Sequence, residues 1–202
     1  NMKVAMYSGG KESIYAVLKE WPVDVLLFLV YQFPRPSPHL LNFSKAVELG
    51  WGIAPVVVKK LQRGREFEEK VEFLKKLGTV EIVAGDVDVV EHLKYMERLA
   101  SQVGARLREP LWGMDREELF FKIVEELDFV VIGASAPGLV CRRVSSKDAA
   151  EFLKEVKSLG VDPLGERGEY HSQVVQIHRL GLAIEARCRE VVEHGGYYIA
   201  LL

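Results

Sequence analysis

The sequence contains few cysteines and no long apolar run. Only Cys141 and Cys188 occur among the 202 residues, and they do not form the CxxC pair that zinc sites commonly use. We therefore expect no metal site, free thiols and a reducing, cytoplasmic environment. No apolar run reaches the roughly 18 residues that a membrane helix needs, so no membrane partner is expected.

The sequence also has no large excess of positive or negative residues. Lysine and arginine number 27 against 29 aspartate and glutamate residues, which leaves a net charge of −2. This balance argues against a protein that holds nucleic acid by bulk electrostatics. Asparagine and glutamine are scarce while glutamate, lysine and arginine are plentiful, which favours a thermophilic, archaeal-type source. Apolar residues make up 49% of the chain, enough for a sizeable core.

The first part of the chain alternates between strand and helix patterns. Strands are predicted at 3–7, 24–31, 53–58 and 80–84, and helices at 11–20, 40–49, 66–77 and 89–103. Such alternation predicts an α/β fold, a parallel sheet with helices on both faces. In such a sheet the ligand cleft lies at the carboxyl ends of the strands.

The second part of the chain is less regular. Asp115 and Glu118 form a capping-box pattern at the start of a helix. The remaining predicted elements are helices at 116–127 and 146–159, strands at 129–133, 171–178 and 182–192, and a hairpin through Gly195-Gly196 into 197–201. We predict two domains, an α/β domain of residues 2–109 and a smaller α+β lobe of residues 110–202.

A glycine-rich hexapeptide, Ser8-Gly9-Gly10-Lys11-Glu12-Ser13, follows the first strand and opens the first helix. Two glycines let the backbone turn tightly around an anion, and a helix start supplies N–H donors with the positive end of its dipole. The Ser8 and Ser13 hydroxyls and the Lys11 ammonium add donors. The motif lacks both Walker A and GxGxxG spacing. We interpret it as a phosphate-binding loop.

This hexapeptide resembles the SGGKDS loop (PP-loop) of the N-type ATP pyrophosphatases. Two further segments in the same order resemble the diphthine–ammonia ligase family within that superfamily. The first consists of Pro110-Leu111-Trp112 and residues 115–119, and it is similar to the family's PLW…DxEEL segment. The second consists of residues 165–172 and is similar to the family's GEGGEYHT segment. Gly85 and Glu97 fall where the family has a second glycine and a helical glutamate. The resemblance runs from about residue 3 to residue 175.

The resemblance implies an adenine nucleotide alpha hydrolase-like fold and an ATP-dependent amide ligase. ATP with Mg²⁺ would activate the diphthine carboxylate on elongation factor 2 as an adenylate, and ammonia would displace AMP. The nucleotide would be bound by the hexapeptide, Gly85 and Asp86, with Lys11 stabilising the departing pyrophosphate. We leave open whether the chain forms a homodimer.

A second polar cluster contains Glu166, Glu169, Tyr170 and His171. One of its carboxylates or His171 would orient ammonia, accept its proton or hold the target side chain. The alternative is a turn whose charges are solvated. We predict Glu166, Glu169 and His171 to be catalytic and leave their individual roles open.

Several residues depart from the family pattern. Glu12 replaces an aspartate and Arg167 a glycine, and His92, Leu93 and Tyr95 stand where the family has Gln, Arg and a further Arg. Two other functions therefore stay open, a tRNA-modifying adenylating enzyme of the same fold and a non-catalytic ATP-binding protein. The proline-rich segment 33–38 with His39 is a lid, a partner-docking loop or an ordinary surface loop, and the sequence does not choose between them.

Overall fold

The computed structural model describes residues 1–202, which group into two compact units. The first unit contains Asn1–Ser8, Glu12–Pro34 and Ile53–Gly113, and the second contains Gly9–Lys11, Arg35–Gly52 and Met114–Leu202. These units differ from the predicted domains 2–109 and 110–202, because two short segments of the amino-terminal half group with the carboxyl-terminal half. The predicted domain boundary stays a prediction.

The first unit is built on a wholly parallel five-stranded sheet, as predicted. Its strands are β1 (Met2–Met6), β2 (Val25–Val30), β3 (Val56–Lys60), β4 (Thr79–Val83) and β5 (Arg106–Arg108), in the order β3-β2-β1-β4-β5. Val4 of the central strand β1 is in register with Val25 on one side and Ile82 on the other. The sequence missed β5, because three residues of which two are arginine give no apolar run.

Helices flank this sheet. They are α1 (Lys11–Lys19), whose first residue is grouped with the second unit, α4 (Glu66–Lys76) and α5 (Val90–Val103). Leu74 of α4 and Leu99 of α5 are fully buried against Val4 and Ile82 of the sheet, which stabilises this core by apolar burial. The longest helix, α5, has 14 residues, and none of the helices combines the length and apolar character needed to cross a membrane.

The second unit is an antiparallel sheet with helices, which agrees with the predicted α+β lobe. Its strands are β6 (Leu127–Ala134), β7 (Arg143–Val144), β8 (Tyr170–Ile177), β9 (Leu182–Ala183), β10 (Glu190–His194) and β11 (Tyr197–Leu201), in the order β10-β11-β6-β8-β9 with β7 beside β6. Its helices are α2 (Pro38–Leu41), α3 (Phe43–Gly50), α6 (Arg116–Glu126) and α7 (Ala149–Ser158). The predicted hairpin is confirmed, with His194 opposite Tyr197. The predicted cap is confirmed too, since Asp115 accepts a hydrogen bond from the Glu118 N–H at 3.0 Å.

The single helix predicted over 40–49 is wrong, because Asn42 divides it into α2 and α3. Asn42 is only 2% exposed, and its amide donates to the carbonyls of Pro38 (2.9 Å) and Ala200 (2.8 Å). Its side-chain carbonyl accepts from the Leu202 N–H at 2.9 Å. These bonds fix Asn42 in a non-helical conformation. The strand predicted over 182–192 is likewise two short strands, β9 and β10.

The prediction of free thiols is wrong, since Cys141 and Cys188 form a disulfide with their Cα atoms 5.8 Å apart. Both cysteines pack against the apolar cluster around Val130 and Ile132. The bond spans 47 positions of sequence, and neither residue belongs to a local cysteine motif. Only the packing of the second unit brings the two residues together.

Candidate nucleotide site

The Ser13 hydroxyl closes the turn between β1 and α1. Its oxygen accepts a hydrogen bond from the Ser8 N–H at 3.2 Å and donates to the Met6 carbonyl at 3.2 Å. Ser13 thereby fixes the helix start just beyond the carboxyl end of the central strand. This is the edge of a parallel sheet at which ligands bind.

Gly85 lies against the same helix start. A Cβ atom at this position would come within 2.8 Å of the Glu12 carbonyl oxygen and 3.2 Å of the Ser13 nitrogen. Only glycine allows the chain after β4 to approach the backbone of α1 so closely. The structure therefore brings together Gly85, Glu12 and Ser13, three residues that the sequence placed in one site.

Gly9–Lys11 are bonded to strand β8 within the second unit. The Gly9 carbonyl accepts from the Val174 N–H at 2.8 Å, and the Lys11 N–H donates to the Ser172 hydroxyl at 3.1 Å. Gly9 has φ +86°, and a Cβ atom there would lie 2.7 Å from Oε1 of the buried Gln173. The glycine-rich loop and the 165–172 segment, two separate motifs in the sequence, are therefore in direct contact.

The Lys11 side chain is buried. It is 1% exposed, and its ammonium donates to the Leu164 carbonyl at 2.7 Å and lies 4.5 Å from the centre of the Tyr170 ring. A cation over an aromatic face is stabilised by the ring's quadrupole. In this geometry the amine holds the 165–172 segment to the loop. Its contact with a phosphate stays a prediction.

We expect Lys11→Met to lower the free energy of unfolding by about 1–3 kcal/mol, the range for a buried carbonyl that loses its donor. Methionine keeps much of the side-chain length and can still pack on Tyr170, so the fold should persist. Urea unfolding measures the change. Lys154→Met, at an exposed position of α7, is the control and should alter stability by less than about 0.5 kcal/mol. Equal changes in the two variants would contradict this role.

Glu169 organises the turn that precedes β8. Its two carboxylate oxygens accept from the backbone N–H groups of Asp162 at 3.0 Å and Arg167 at 2.9 Å. Asp162 in turn accepts from the N–H groups of Leu164 and Glu166 at 3.1 and 3.0 Å. Arg167 takes part in this turn through its backbone N–H, and this bond does not depend on the arginine side chain. The catalytic roles of Glu166 and Glu169 stay predictions.

His171 contacts two residues that the sequence analysis left outside the site. Its ring centroid lies 5.3 Å from that of His39 and 6.2 Å from that of Tyr197, both in edge-to-face arrangements. His39 belongs to α2 and Tyr197 to β11. No sequence signal joins residues so far apart, although His39 follows the proline-rich segment that was singled out.

Asp86 and Glu109 form a carboxyl pair in the first unit, after β4 and β5. The Asp86 N–H donates to Glu109 Oε1 at 3.0 Å, and Asp86 lies 3.8 Å from Nδ1 of His92. Burial, followed by the contact with Asp86, raises the pKa of Glu109 to about 9. Glu109 was missed because β5 was missed. The His92 side chain, at a position where the sequence departs from the pattern it resembles, lies next to the Asp86 carboxylate.

The raised pKa of Glu109 predicts a pH-dependent stability. The folded chain keeps this proton up to about pH 9, whereas a carboxyl with the ordinary pKa of 4.5 loses it much earlier. The folded state therefore binds more protons between these values, and the free energy of unfolding should fall as the pH rises from about 4.5 to about 9. Glu109→Gln should flatten this fall in urea titrations, while the exposed Glu72→Gln should leave it intact.

Tyr95 lies beside the Lys70 side chain in the first unit. Its hydroxyl accepts a hydrogen bond from the buried Lys70 amine at 2.8 Å, and that amine also lies 4.8 Å from the centre of the Tyr31 ring. Burial lowers the pKa of Lys70 to about 8. Tyr95 therefore packs on a buried lysine of the first unit.

A triphosphate site at the start of α1 stays a prediction, which the local backbone fits. Helix α1 begins two residues after Gly9, which has φ +86°, and helix starts present N–H groups that intrahelical bonds do not use. The chain has no group of three or more His, Cys, Asp or Glu side chains able to hold a metal ion. Mg²⁺ would accordingly take part of its coordination from phosphate oxygens and water, with Glu12 or Asp86 as nearby carboxylates.

A parallel sheet in the order β3-β2-β1-β4-β5, with a glycine-rich loop after its central strand, defines an α/β protein of the PP-loop class. The family model described as the diphthamide synthase N-terminal domain matches residues 2–107, more than half of the chain. The chain therefore belongs to the diphthamide synthase family, as the sequence motifs indicated.

A solved structure of a predicted subunit of tRNA methyltransferase from Methanocaldococcus jannaschii is also similar. The two chains are 16% identical, the match covers 88% of this chain and 97% of the other, and the TM-score is 0.45. A similarity at this level carries no conclusion about function. A comparison with curated proteins finds no match.

Proposed function

We propose that the protein is an ATP-dependent amide ligase that converts diphthine on elongation factor 2 into diphthamide. Its substrates would be MgATP, the carboxylate of the modified histidine, and ammonia. Membership in the diphthamide synthase family supports this choice. The observation that carries it is the bonding of Gly9–Lys11 to β8, which joins the glycine-rich loop to the 165–172 segment that contains His171.

The chemistry has two steps. A carboxylate oxygen of the acceptor attacks the α-phosphorus, the bond to the β-phosphate bridging oxygen breaks, and pyrophosphate leaves. Ammonia then attacks the acyl carbon, AMP leaves, and one ammonia proton passes to a base. Mg²⁺ would offset charge on the phosphate oxygens.

The chain's own residues would supply positioning and proton transfer. Ser8, Gly9, Gly10 and the start of α1 would bind the phosphates, and His171 would accept the ammonia proton. Glu169 would act through the turn that it holds, since both of its oxygens are bonded to backbone N–H groups.

The deciding experiment combines the protein with MgATP, ammonium and elongation factor 2 carrying diphthine. AMP and pyrophosphate should form in equal amounts with the amide, which mass spectrometry detects on the modified histidine. Reactions without acceptor and with unmodified elongation factor 2 are the controls. AMP formation that depends on tRNA would instead support a tRNA-modifying enzyme. Tight MgATP binding without AMP would support a non-catalytic protein.

A further inference from the structure

The Tyr197 hydroxyl is a buried polar atom that has no hydrogen-bond partner in the protein. Burying a hydroxyl without a partner costs about 1–3 kcal/mol, and folded proteins retain few such groups. Phenylalanine would fill the same volume without this cost. The phenol oxygen is therefore available to hydrogen-bond a ligand.

The surroundings hold this phenol in place. A Cβ atom on Gly133 would lie 2.9 Å from Cε2 and 3.0 Å from the hydroxyl of Tyr197, so the absence of a side chain on β6 makes room for the ring. Pro38, at the start of α2, lies against the same glycine. The next residue, His39, contacts His171, and His171 contacts Tyr197. Three polar aromatic side chains from α2, β8 and β11 thus form one cluster.

The phenol is kept in its donor form. Burial, and after it the negative charge of Glu169, raises the pKa of Tyr197 above its ordinary value. At neutral pH the oxygen carries its proton, which a ligand can accept in a hydrogen bond. Imidazole N–H groups are donors as well. A cluster of this composition suits an anion that accepts several hydrogen bonds, and in the proposed reaction the acceptor carboxylate is such an anion.

We propose that Tyr197, His171 and His39 form the binding site for the carboxylate of the acceptor, with the Tyr197 hydroxyl donating a hydrogen bond to one carboxylate oxygen. This inference rests on the proposed ligase function, since it assigns the acceptor of that reaction. It adds Tyr197 and His39 to the residues that the motifs indicated. It also gives Pro38, the last residue of the proline-rich segment, a place beside this cluster.

Tyr197→Phe tests the proposal by removing one oxygen atom. The KM for elongation factor 2 carrying diphthine should rise about 10- to 100-fold, the loss expected for a hydrogen bond to a charged group. The Kd for MgATP should stay within about twofold, and the melting temperature should be unchanged or higher because an unsatisfied hydroxyl is gone. Tyr198→Phe, at the neighbouring position of β11, is the matched control and should behave as the parent.

Binding measured without turnover separates the two proposals. Calorimetry of each protein with elongation factor 2 carrying diphthine, in the absence of ATP, should show the same loss for Tyr197→Phe. If the parent forms amide and Tyr197→Phe equals it in KM and Kd, the carboxylate site is overturned and the ligase function stands. If the parent binds the acceptor but forms no AMP, the ligase function fails, and weaker binding by Tyr197→Phe still supports the site. A parent that neither binds nor reacts overturns both.

Discussion

Gly9→Ala is expected to abolish MgATP binding, with a loss of affinity of about 100-fold or more, as expected when binding groups are misplaced by about 1 Å. Gly9 has φ +86°, a conformation that L-residues adopt at a cost of about 1–2 kcal/mol. The added methyl group would also lie 2.7 Å from Oε1 of Gln173 and 2.9 Å from Cβ of Ala46. Overpacking of this kind costs about 1–3 kcal/mol more, so the free energy of unfolding should fall by about 2–5 kcal/mol.

Gly64→Ala separates the cost of the backbone conformation from the cost of overpacking. Gly64 has nearly the same backbone angle, φ +87°, but a Cβ atom there would meet nothing within 4 Å. It should therefore lose only the conformational part of the stability and keep its full affinity for MgATP. Urea unfolding and calorimetry with MgATP measure both quantities. If Gly9→Ala bound MgATP as well as Gly64→Ala does, the phosphate site would not lie at this loop.

Glu169→Gln is expected to slow amide formation about 10- to 100-fold while MgATP affinity changes much less. The parent carboxylate accepts from two backbone N–H groups, and an amide side chain would turn an NH₂ group toward one of them. The turn over 162–169 should loosen, which misplaces the neighbouring His171. The loop keeps its own bonds to β8 through Gly9 and Lys11, so nucleotide binding should persist.

Stability and kinetics together test this expectation. The free energy of unfolding of Glu169→Gln should fall by about 0.5–1.5 kcal/mol, the net contribution of a typical hydrogen bond, since one part-buried or exposed N–H group loses its acceptor. Single-turnover amide formation at saturating MgATP measures the catalytic loss. Glu125→Gln, at an exposed position of α6, changes the same chemical group and should alter neither quantity. An unchanged rate in Glu169→Gln would remove this residue from the mechanism.

The disulfide and the Asn42 break show why part of the fold was missed. Cys141 and Cys188 are joined by packing across 47 positions, and a helical pattern over 40–49 gives no sign that the Asn42 side chain is bonded to Ala200 and Leu202. Both features depend on partners distant in sequence. Strand β5 was missed for a local reason, because two of its three residues are arginine.

The candidate site likewise has a part that the sequence predicts and a part that only the folded structure shows. Residues 8–13 can be predicted as a phosphate-binding loop because the loop, the strand before it and the helix after it are continuous in sequence, and that role stays a prediction. The contacts of Lys11 could not be predicted, since its amine is bonded to Leu164, 153 positions away. Glu109 was missed together with β5, and the sequence predicts Tyr197 only as the start of a hairpin strand, since the unusual environments of both side chains arise on folding.

The sequence by itself determined the alternation of strands and helices, the parallel sheet, the glycine-rich loop and the family. These features follow from local apolar periodicity and from the conformational freedom of glycine, which depend on neighbouring residues. Tertiary structure alone decided the bonding of the loop to β8, the burial of Lys11 and the grouping of His39, His171 and Tyr197. Those contacts join side chains from distant segments, and their energies come from burial and hydrogen bonds that exist only once the chain has folded.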